Sequence, residues 1–262
     1  MRAIITALGA RVVALMVYIG EIVMLMAETG ASIVTQRIRW RLFMQQIVEI
    51  GLRSQLVVVV TGGFTGAVFA AQTYFQFNNL GMGSAVGAVV SVSLFRELGP
   101  VLTALMVTGR VGAAMSAEIG TMKVTEQIDA LRALAVHPID YLVVPRVLGM
   151  MVSMPLLVAE CVGVGIFAGY AIGVGLLNVN GPYYVANMVR WTLMGDIVML
   201  LIKAFCFAIV IVFIACYKGL NAREGAVGVG QATTTAVVEA SLIVLVLNFF
   251  LTMALNIVYP AG

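Results

Sequence analysis

Long apolar stretches, separated by short polar segments, constrain this chain more than any other feature. The five longest run over about 56–74, 85–113, 147–177, 195–217 and 236–259. Each is long enough to cross a bilayer as a helix, which takes roughly 20 residues. A membrane β-barrel would instead alternate polar and apolar residues. Because charged residues are only 10% of the chain, against about 25% in soluble domains, the sequence predicts an all-α, polytopic membrane protein with about five spans.

The first 55 residues are more charged and predict interfacial helices. Residues 1–28 are interrupted by Arg2, Arg11, Glu21 and Glu28. The longest charge-free run is too short to span, although a true membrane-crossing helix remains the alternative. Over 31–55, polar residues recur every four positions opposite an apolar face: Arg37, Arg41, Gln45, Glu49 and Arg53. This pattern is typical of a basic amphipathic helix on a membrane surface, so we expect an interfacial region 1–55 and a transmembrane domain 56–262.

The distribution of lysine and arginine predicts the orientation. Nine of them lie on one side of the predicted spans: Arg37, Arg39, Arg41, Arg53, Lys123, Arg132, Arg146, Lys218 and Arg223. The other set has essentially only Arg190. Because cytoplasmic loops carry the excess of Lys and Arg, the first set and the N-terminus are predicted to be cytoplasmic.

A charged pair, Arg96-Glu97, lies inside the second apolar stretch. Each charge at membrane depth costs about 2.5–3.5 kcal/mol on insertion scales. Pro100 has no N–H, so the carbonyl of Arg96 loses its usual helical partner. Adjacent helical residues do not face each other, so Arg96 and Glu97 are expected to find different partners.

Glu160 and Lys203 are the other deep ionisable residues. Lys203 lies seven residues after Asp196, on the same helix face, and is predicted to pair with Glu97 or Glu160 or to extend toward the membrane surface. Two roles stay open for all these groups: an ion-pair network that fixes helix packing, and a polar path or substrate cavity.

The segment Lys123–His137 predicts a short amphipathic helix in a cytoplasmic loop. Val124, Ile128, Leu131 and Ala135 repeat at helical spacing, and the polar side carries Lys123, Glu126, Gln127, Asp129 and Arg132. His137-Pro138 ends the helix, because a residue before proline avoids the helical region. A helix lying on the bilayer is one interpretation; a docking helix for a cytoplasmic partner is the one we favour.

No motif for chemistry is present. The sequence has no GxxxxGK[ST] phosphate loop, no HExxH, and one histidine. Its three cysteines form no CxxC pair. We therefore expect no enzymatic activity, metal, cofactor or nucleic-acid partner, and energy for any active transport has to come from a partner protein or an ion gradient.

An ordered set of motifs resembles the MlaE (YrbE) family of ABC-transporter permeases. The motifs are Ser93–Pro100, Gly109-Arg110, Ala117–Gly120, Thr125–Gln127, Ala135–Pro138, Pro145-Arg146 and Gln231–Thr235. The resemblance covers the chain from about Gln45 to its end and leaves residues 1–40 outside.

The resemblance implies a permease of the bacterial inner membrane that works as a homodimer. It implies two cytoplasmic ATPase subunits, a periplasmic MCE-type lipid-binding protein, and movement of phospholipid or a related lipid between the inner membrane and the outer envelope. The loop helix then matches the coupling helix. Arg96 and Glu97 match charged positions near the family's lipid cavity, where Arg96 and Lys203 would attract a phosphate head group, while Glu160 is outside the family pattern. The alternative is an ion-gradient-driven carrier or channel acting alone.

Overall fold

The computed structural model describes residues 2–35, 39–79 and 81–259, and all regular elements there are helical. The α-helices in this part of the chain are α1 Arg2–Thr35, α2 Trp40–Ile50, α3 Gln55–Asn78, α4 Val86–Ser93, α5 Gly99–Val107, α6 Ala113–Val124, α7 Gln127–Ala133, α8 Val144–Gly175, α9 Gly181–Trp191, α10 Met194–Leu220 and α11 Gly225–Val258. The predicted all-α, polytopic class is confirmed.

Two π-helical turns divide the stretch that contains the charged pair. Leu94–Leu98 joins α4 to α5, and Thr108–Gly112 joins α5 to α6. These elements form one helical stretch, Val86–Val124. Each π turn contains an arginine, Arg96 or Arg110. Because π turns inside α-helices are frequently found at functional sites, both turns make this stretch a candidate for function.

Six helical stretches among the described residues are long and apolar enough to cross a membrane. They are Gly9–Thr35, Trp40–Asn78, Val86–Val124, Ile139–Gly175, Met194–Leu220 and Gly225–Val258. Five contain the predicted spans. The sixth, Gly9–Thr35, belongs to the N-terminal segment for which the sequence left a membrane-crossing helix open.

The core lies where α8 and α10 pass through the bundle. The apolar parts of these two stretches are each 56% buried, against 11% for α11 and 6% for α1. Helix α3 lies directly against α8 because two glycines remove the side chains between them. A Cβ at Gly66 would lie 2.0 Å from the Gly165 carbonyl oxygen, and one at Gly62 would lie 2.6 Å from that of Cys161. Small residues at such positions let two membrane helices approach closely.

Helix α1 reaches the bundle mainly through polar side chains. The Ser32 hydroxyl donates to Asp140, at 2.5 Å, and the Tyr18 hydroxyl donates to Glu239, at 2.6 Å. Leu25 is the large side chain of this helix that is buried in the core. Most of the apolar surface of α1 is therefore left uncovered by the chain itself.

The predicted single basic helix over 31–55 is wrong in its bounds. Helix α1 continues to Thr35, and α2 begins at Trp40. Arg39 between them has non-helical backbone angles (φ −82°, ψ 84°), and its guanidinium lies 5.2 Å from the centre of the Tyr141 ring. Arg37 lies outside the described residues, and the division at residue 55 stays a prediction.

The polar segment between the third and fourth apolar stretches is mostly helix α9. Asn180 accepts a hydrogen bond from the Tyr183 amide and caps the helix, and a proline such as Pro182 is favoured in the first helical turn. Tyr184 is 1% exposed and anchors α9 against α4 and α8. Burial raises the pKa of Tyr184 to about 12, so its hydroxyl stays neutral.

The polar segment between the fourth and fifth apolar stretches is also mostly helical. Helix α10 continues to Leu220 and α11 begins at Gly225. The hydroxyls of Thr233, Thr234 and Thr235 donate to carbonyls four residues earlier in α11. Because a helix satisfies these hydroxyls locally, the polar sequence does not require a loop.

Candidate functional site

Lys203 is the centre of a buried polar network. Its side chain is 0% exposed. The ammonium donates to the Glu97 carboxylate at 2.9 Å, the Thr252 hydroxyl at 2.8 Å and the Arg96 carbonyl at 2.6 Å. A lysine has three N–H donors, so all three are used. The carbonyl that Pro100 deprives of its helical partner is the one that receives Lys203.

Arg96 forms the second half of the network, near the start of α10 and the end of α11. Its Nε donates to Asp196 at 2.5 Å, and Nη1 donates to the side-chain oxygen of Asn256 at 2.8 Å. The second oxygen of Asp196 accepts the Leu193 backbone N–H at 2.8 Å, which caps α10. Negative charge at a helix N-terminus is favourable, so Asp196 is stabilised by both the guanidinium and the helix.

Glu97 is the member of the network that remains partly accessible. Its side chain is 38% exposed, whereas that of Lys203 is fully buried. Besides Lys203, it accepts hydrogen bonds from Thr252 at 2.8 Å and Asn248 at 2.9 Å. Arg96 and Glu97 thus have different partners, as the sequence predicted.

Charge in the network is balanced. Two cations, Arg96 and Lys203, face two anions, Glu97 and Asp196. Breaking a buried ion pair by removing one partner costs about 3–5 kcal/mol, because an uncompensated charge remains. The network therefore holds α4–α5, α10 and α11 together. Since Lys203 has no free donor, contact between it and a lipid phosphate requires the network to rearrange.

The sequence analysis missed three polar residues on α11. Asn248, Thr252 and Asn256 all bond to the network. They follow one another at intervals of four residues, so they lie along one helix face. Polar side chains at this spacing in an apolar span were a signal that the sequence already contained.

Glu160 does not join the network. It lies half-buried in α8, and among the described residues it makes no hydrogen bond or ion pair. Of the two carboxylates considered for Lys203, the structure brings Glu97 to it.

The predicted loop helix is shorter than Lys123–Ala135. Lys123 belongs to the last turn of α6, Glu126 has a left-handed backbone (φ 57°), and α7 covers Gln127–Ala133. Ala135 is also left-handed (φ 56°), which ends the helix. These two residues break the helical run at both ends, so the predicted bounds are wrong by several residues while the helix itself exists.

The five polar residues proposed for docking lie around α7. Glu126, Gln127, Asp129 and Arg132 are exposed, and Lys123 is partly exposed. Ile128 is 1% exposed and anchors the helix. Leu134, just beyond α7, is 74% exposed. An anchored helix with an uncovered charged side and an exposed leucine is a surface suited to a protein partner.

The sequence is similar to those of known permease proteins. The family described as Permease MlaE matches residues 43–254. A probable ABC transporter permease protein of Rickettsia typhi is 43% identical over 222 residues, which cover 85% of this chain and 86% of the relative. The intermembrane phospholipid transport system permease protein MlaE of Haemophilus influenzae is 38% identical over 238 residues, 89% of each chain. The chloroplastic protein TRIGALACTOSYLDIACYLGLYCEROL 1 of Arabidopsis thaliana is 36% identical over 215 residues, 82% of this chain and 61% of the relative.

Proposed function

The chain belongs to the MlaE permease family, and from that premise we propose that it moves phospholipid or a related lipid between the inner membrane and the outer envelope. A separate cytoplasmic ATPase supplies the energy. The observation that carries this proposal is the family match over 43–254, which includes α7 and every residue of the network except Asn256. The phospholipid is supported by the name of the Haemophilus influenzae relative.

In this proposal α7 is the coupling helix. Nucleotide binding by the ATPase moves α7, and the movement passes through α6 to the π turns and the charged network. Support comes from the continuity of the helical stretch Val86–Val124 and from the exposed charges of α7 beside its buried Ile128.

Two copies of the chain enclose the lipid cavity in this proposal. Helix α11 supports a homodimer, because it exposes a row of large apolar side chains: Leu242, Val246, Phe249, Phe250, Met253 and Ile257. Glu97 is the accessible member of the network, so the cavity lies beside it. There Arg96 and, after rearrangement, Lys203 attract the phosphate, and Pro100 keeps the Arg96 carbonyl available. A periplasmic MCE-type protein exchanges lipid with this cavity.

In this proposal the basic end of the bundle faces the cytoplasm. Arg146 pairs with Glu118 at 2.8 Å, and a Cβ at Gly219 would lie 2.8 Å from the Cβ of Ile119. The ends of α6, α8 and α10 therefore meet on one side, together with Lys218. Cytoplasmic loops carry such lysines and arginines.

The test is reconstitution of the chain in liposomes with and without its ATPase. We expect the two proteins to co-purify and lipid transfer to require ATP hydrolysis. Transfer driven by an ion gradient in the absence of the ATPase would establish the autonomous carrier instead.

Charge reversal on α7 tests the coupling role. Glu126→Lys and Asp129→Lys should weaken ATPase binding, because each places a cation where the partner meets an anion. Glu224→Lys is the control, since Glu224 is an exposed acid in the loop before α11, on the same side of the bundle. Full ATPase binding and coupled turnover in the α7 variants would contradict docking at this helix.

A further inference from the structure

A cleft lies between α1 and the end of the bundle that carries α7, separate from the charged network. Its volume is about 630 Å³, within the range of about 300–1,000 Å³ of small-molecule sites. Helix α1 forms one wall, and the α6–α7 segment, the loop after α7 and the end of α10 form the others. The cleft exists because α1 makes little apolar contact with the bundle.

The wall opposite α1 carries surplus positive charge. Lys123 and Arg132 both line the cleft and both reach Asp129, at 3.9 Å and 2.7 Å. Two cations on one carboxylate leave one positive charge uncompensated. The Lys123 and Arg132 side chains remain 34% and 59% exposed, so both can reach a second anion.

The α1 wall carries surplus negative charge. Glu21 and Glu28 lie seven residues apart, two turns along one face of α1, and both line the cleft. Glu21 accepts a hydrogen bond from the Tyr217 hydroxyl, and Glu28 lies 3.1 Å from the His137 ring. Neither partner is a lysine or arginine, so neither carboxylate is neutralised by a permanent cation.

The space between the two charged walls is apolar and continues along α1. Met24, Leu25, Ile128, Ile139 and Leu220 line it. Met24 is 71% exposed, and Val17, two turns earlier on α1, is 53% exposed. An apolar surface thus leads out of the cleft along a helix that is long and apolar enough to cross a membrane.

We propose that this cleft binds a phospholipid with a primary ammonium head group, of the phosphatidylethanolamine class, taken from the cytoplasmic leaflet. The phosphate lies on Lys123 and Arg132, the ammonium donates to Glu21 and Glu28, and the acyl chains follow the exposed side of α1. The leaflet rests on the orientation in the proposed function. Binding itself needs neither the ATPase nor ATP.

Charge complementarity selects this class of lipid. Phosphatidylcholine has no N–H to donate to the two carboxylates, so it loses the charge-assisted hydrogen bonds that an ammonium makes. An anionic lipid without an amine satisfies Lys123 and Arg132 but brings its negative charge toward Glu21 and Glu28. A protein segment fits less well, because the apolar surface of the cleft continues along α1, where Met24 and Val17 are exposed, and α1 is long and apolar enough to lie in a membrane.

A photoreactive residue at position 24 tests the site. The purified full-length chain is placed in nanodiscs of phosphatidylethanolamine, phosphatidylcholine and phosphatidylglycerol in equal parts, without ATPase or nucleotide. Crosslinked lipid is identified by mass spectrometry. Position 156 is the matched control, because Leu156 is 64% exposed on α8 and does not line the cleft. We expect phosphatidylethanolamine to be enriched about threefold at position 24, the factor that one modest ion pair supplies, and to follow its share of the bilayer at position 156.

Charge variants identify the groups responsible. Glu28→Gln and Arg132→Gln should each abolish the enrichment at position 24, whereas Arg41→Gln, an exposed arginine on α2 away from the cleft, should leave it unchanged. Lipid at position 24 that follows the bilayer composition, or that is enriched in phosphatidylglycerol, would overturn the proposal. Crosslinking from position 24 to the ATPase in the assembled complex, in place of lipid, would identify a protein partner instead. Because no transport is measured, failure here leaves the proposed function standing.

Discussion

Lys203 shows how a cation is kept below the membrane surface. Its three donors reach a carboxylate, a hydroxyl and the Arg96 carbonyl, so no N–H faces lipid. The Arg96 carbonyl is available because Pro100 cannot donate to it. Pro100 and Lys203 are more than 100 residues apart in sequence, yet the carbonyl that Pro100 leaves free accepts a hydrogen bond from the buried Lys203 ammonium.

Removing Lys203 should destabilise the protein strongly. Lys203→Met leaves Glu97 without its cation, and we expect a loss of about 3 kcal/mol in the free energy of unfolding. Lys203→Met combined with Glu97→Gln should recover part of that loss, since no uncompensated charge remains. Unfolding of the purified protein in mixed detergent measures both; wild-type stability in the single variant would show that the network contributes nothing to packing.

Glu160 provides the opposite case. Since it has no hydrogen bond or ion pair among the described residues, Glu160→Gln breaks no contact and removes a charge at membrane depth, so it should raise the unfolding free energy by up to about 3 kcal/mol. The same unfolding assay applies. A large loss would show that Glu160 has a partner in the assembled protein, and a loss of lipid transfer at unchanged stability would assign it to the transport path.

At the scale of elements, glycine positions decide how closely α3 and α8 approach. Gly66 and Gly165 put backbone against backbone, whereas Gly63 on the same helix faces the Val164 side chain at an ordinary 3.4 Å. Close packing of small residues is a main source of helix association in membranes, so this contact positions α8 in the centre of the bundle.

The matched pair Gly66→Ala and Gly63→Ala tests this contact. A Cβ at residue 66 would lie 2.0 Å from a carbonyl oxygen. The atoms in contact are backbone atoms, so relieving the overlap requires one helix to move. We expect Gly66→Ala to cost about 1–3 kcal/mol through overpacking and Gly63→Ala to change stability little. Equal unfolding curves for the two variants would mean that the helices separate without cost.

At the scale of the whole molecule, α1 and the bundle differ in how they are held. The bundle is joined by core packing and the charged network, while α1 is joined by polar contacts at the end that carries α7. Its other part, around residues 9–17, is mostly exposed. Arg2 and Arg11 belong to this end of the helix, and positive residues favour the cytoplasmic side.

We therefore expect the N-terminus to be cytoplasmic, with α1 in the interface or partly inserted. A single cysteine from Ala3→Cys, in a chain whose three native cysteines are replaced by alanine, should resist a membrane-impermeant maleimide in spheroplasts. Tyr183→Cys on α9 is the control that labels from outside, and Arg223→Cys is the control that does not. Labelling at residue 3 from outside would establish α1 as a spanning helix.

The sequence by itself determined the helical class, because only helices and barrels satisfy a backbone in lipid. It also determined which charged residues lie within the apolar stretches and that Arg96 and Glu97 face different partners. These follow from composition and local geometry. The family emerged from ordered motifs for the same reason, since each motif is contiguous.

Only the tertiary structure decided which partners those residues take. Lys203 reaches Glu97 and not Glu160, and the buried Tyr184 packs α9 against α4. Arg39, between α1 and α2, lies over the ring of Tyr141. Such choices depend on distances between residues about 100 positions apart, and those distances exist only once the helices have packed.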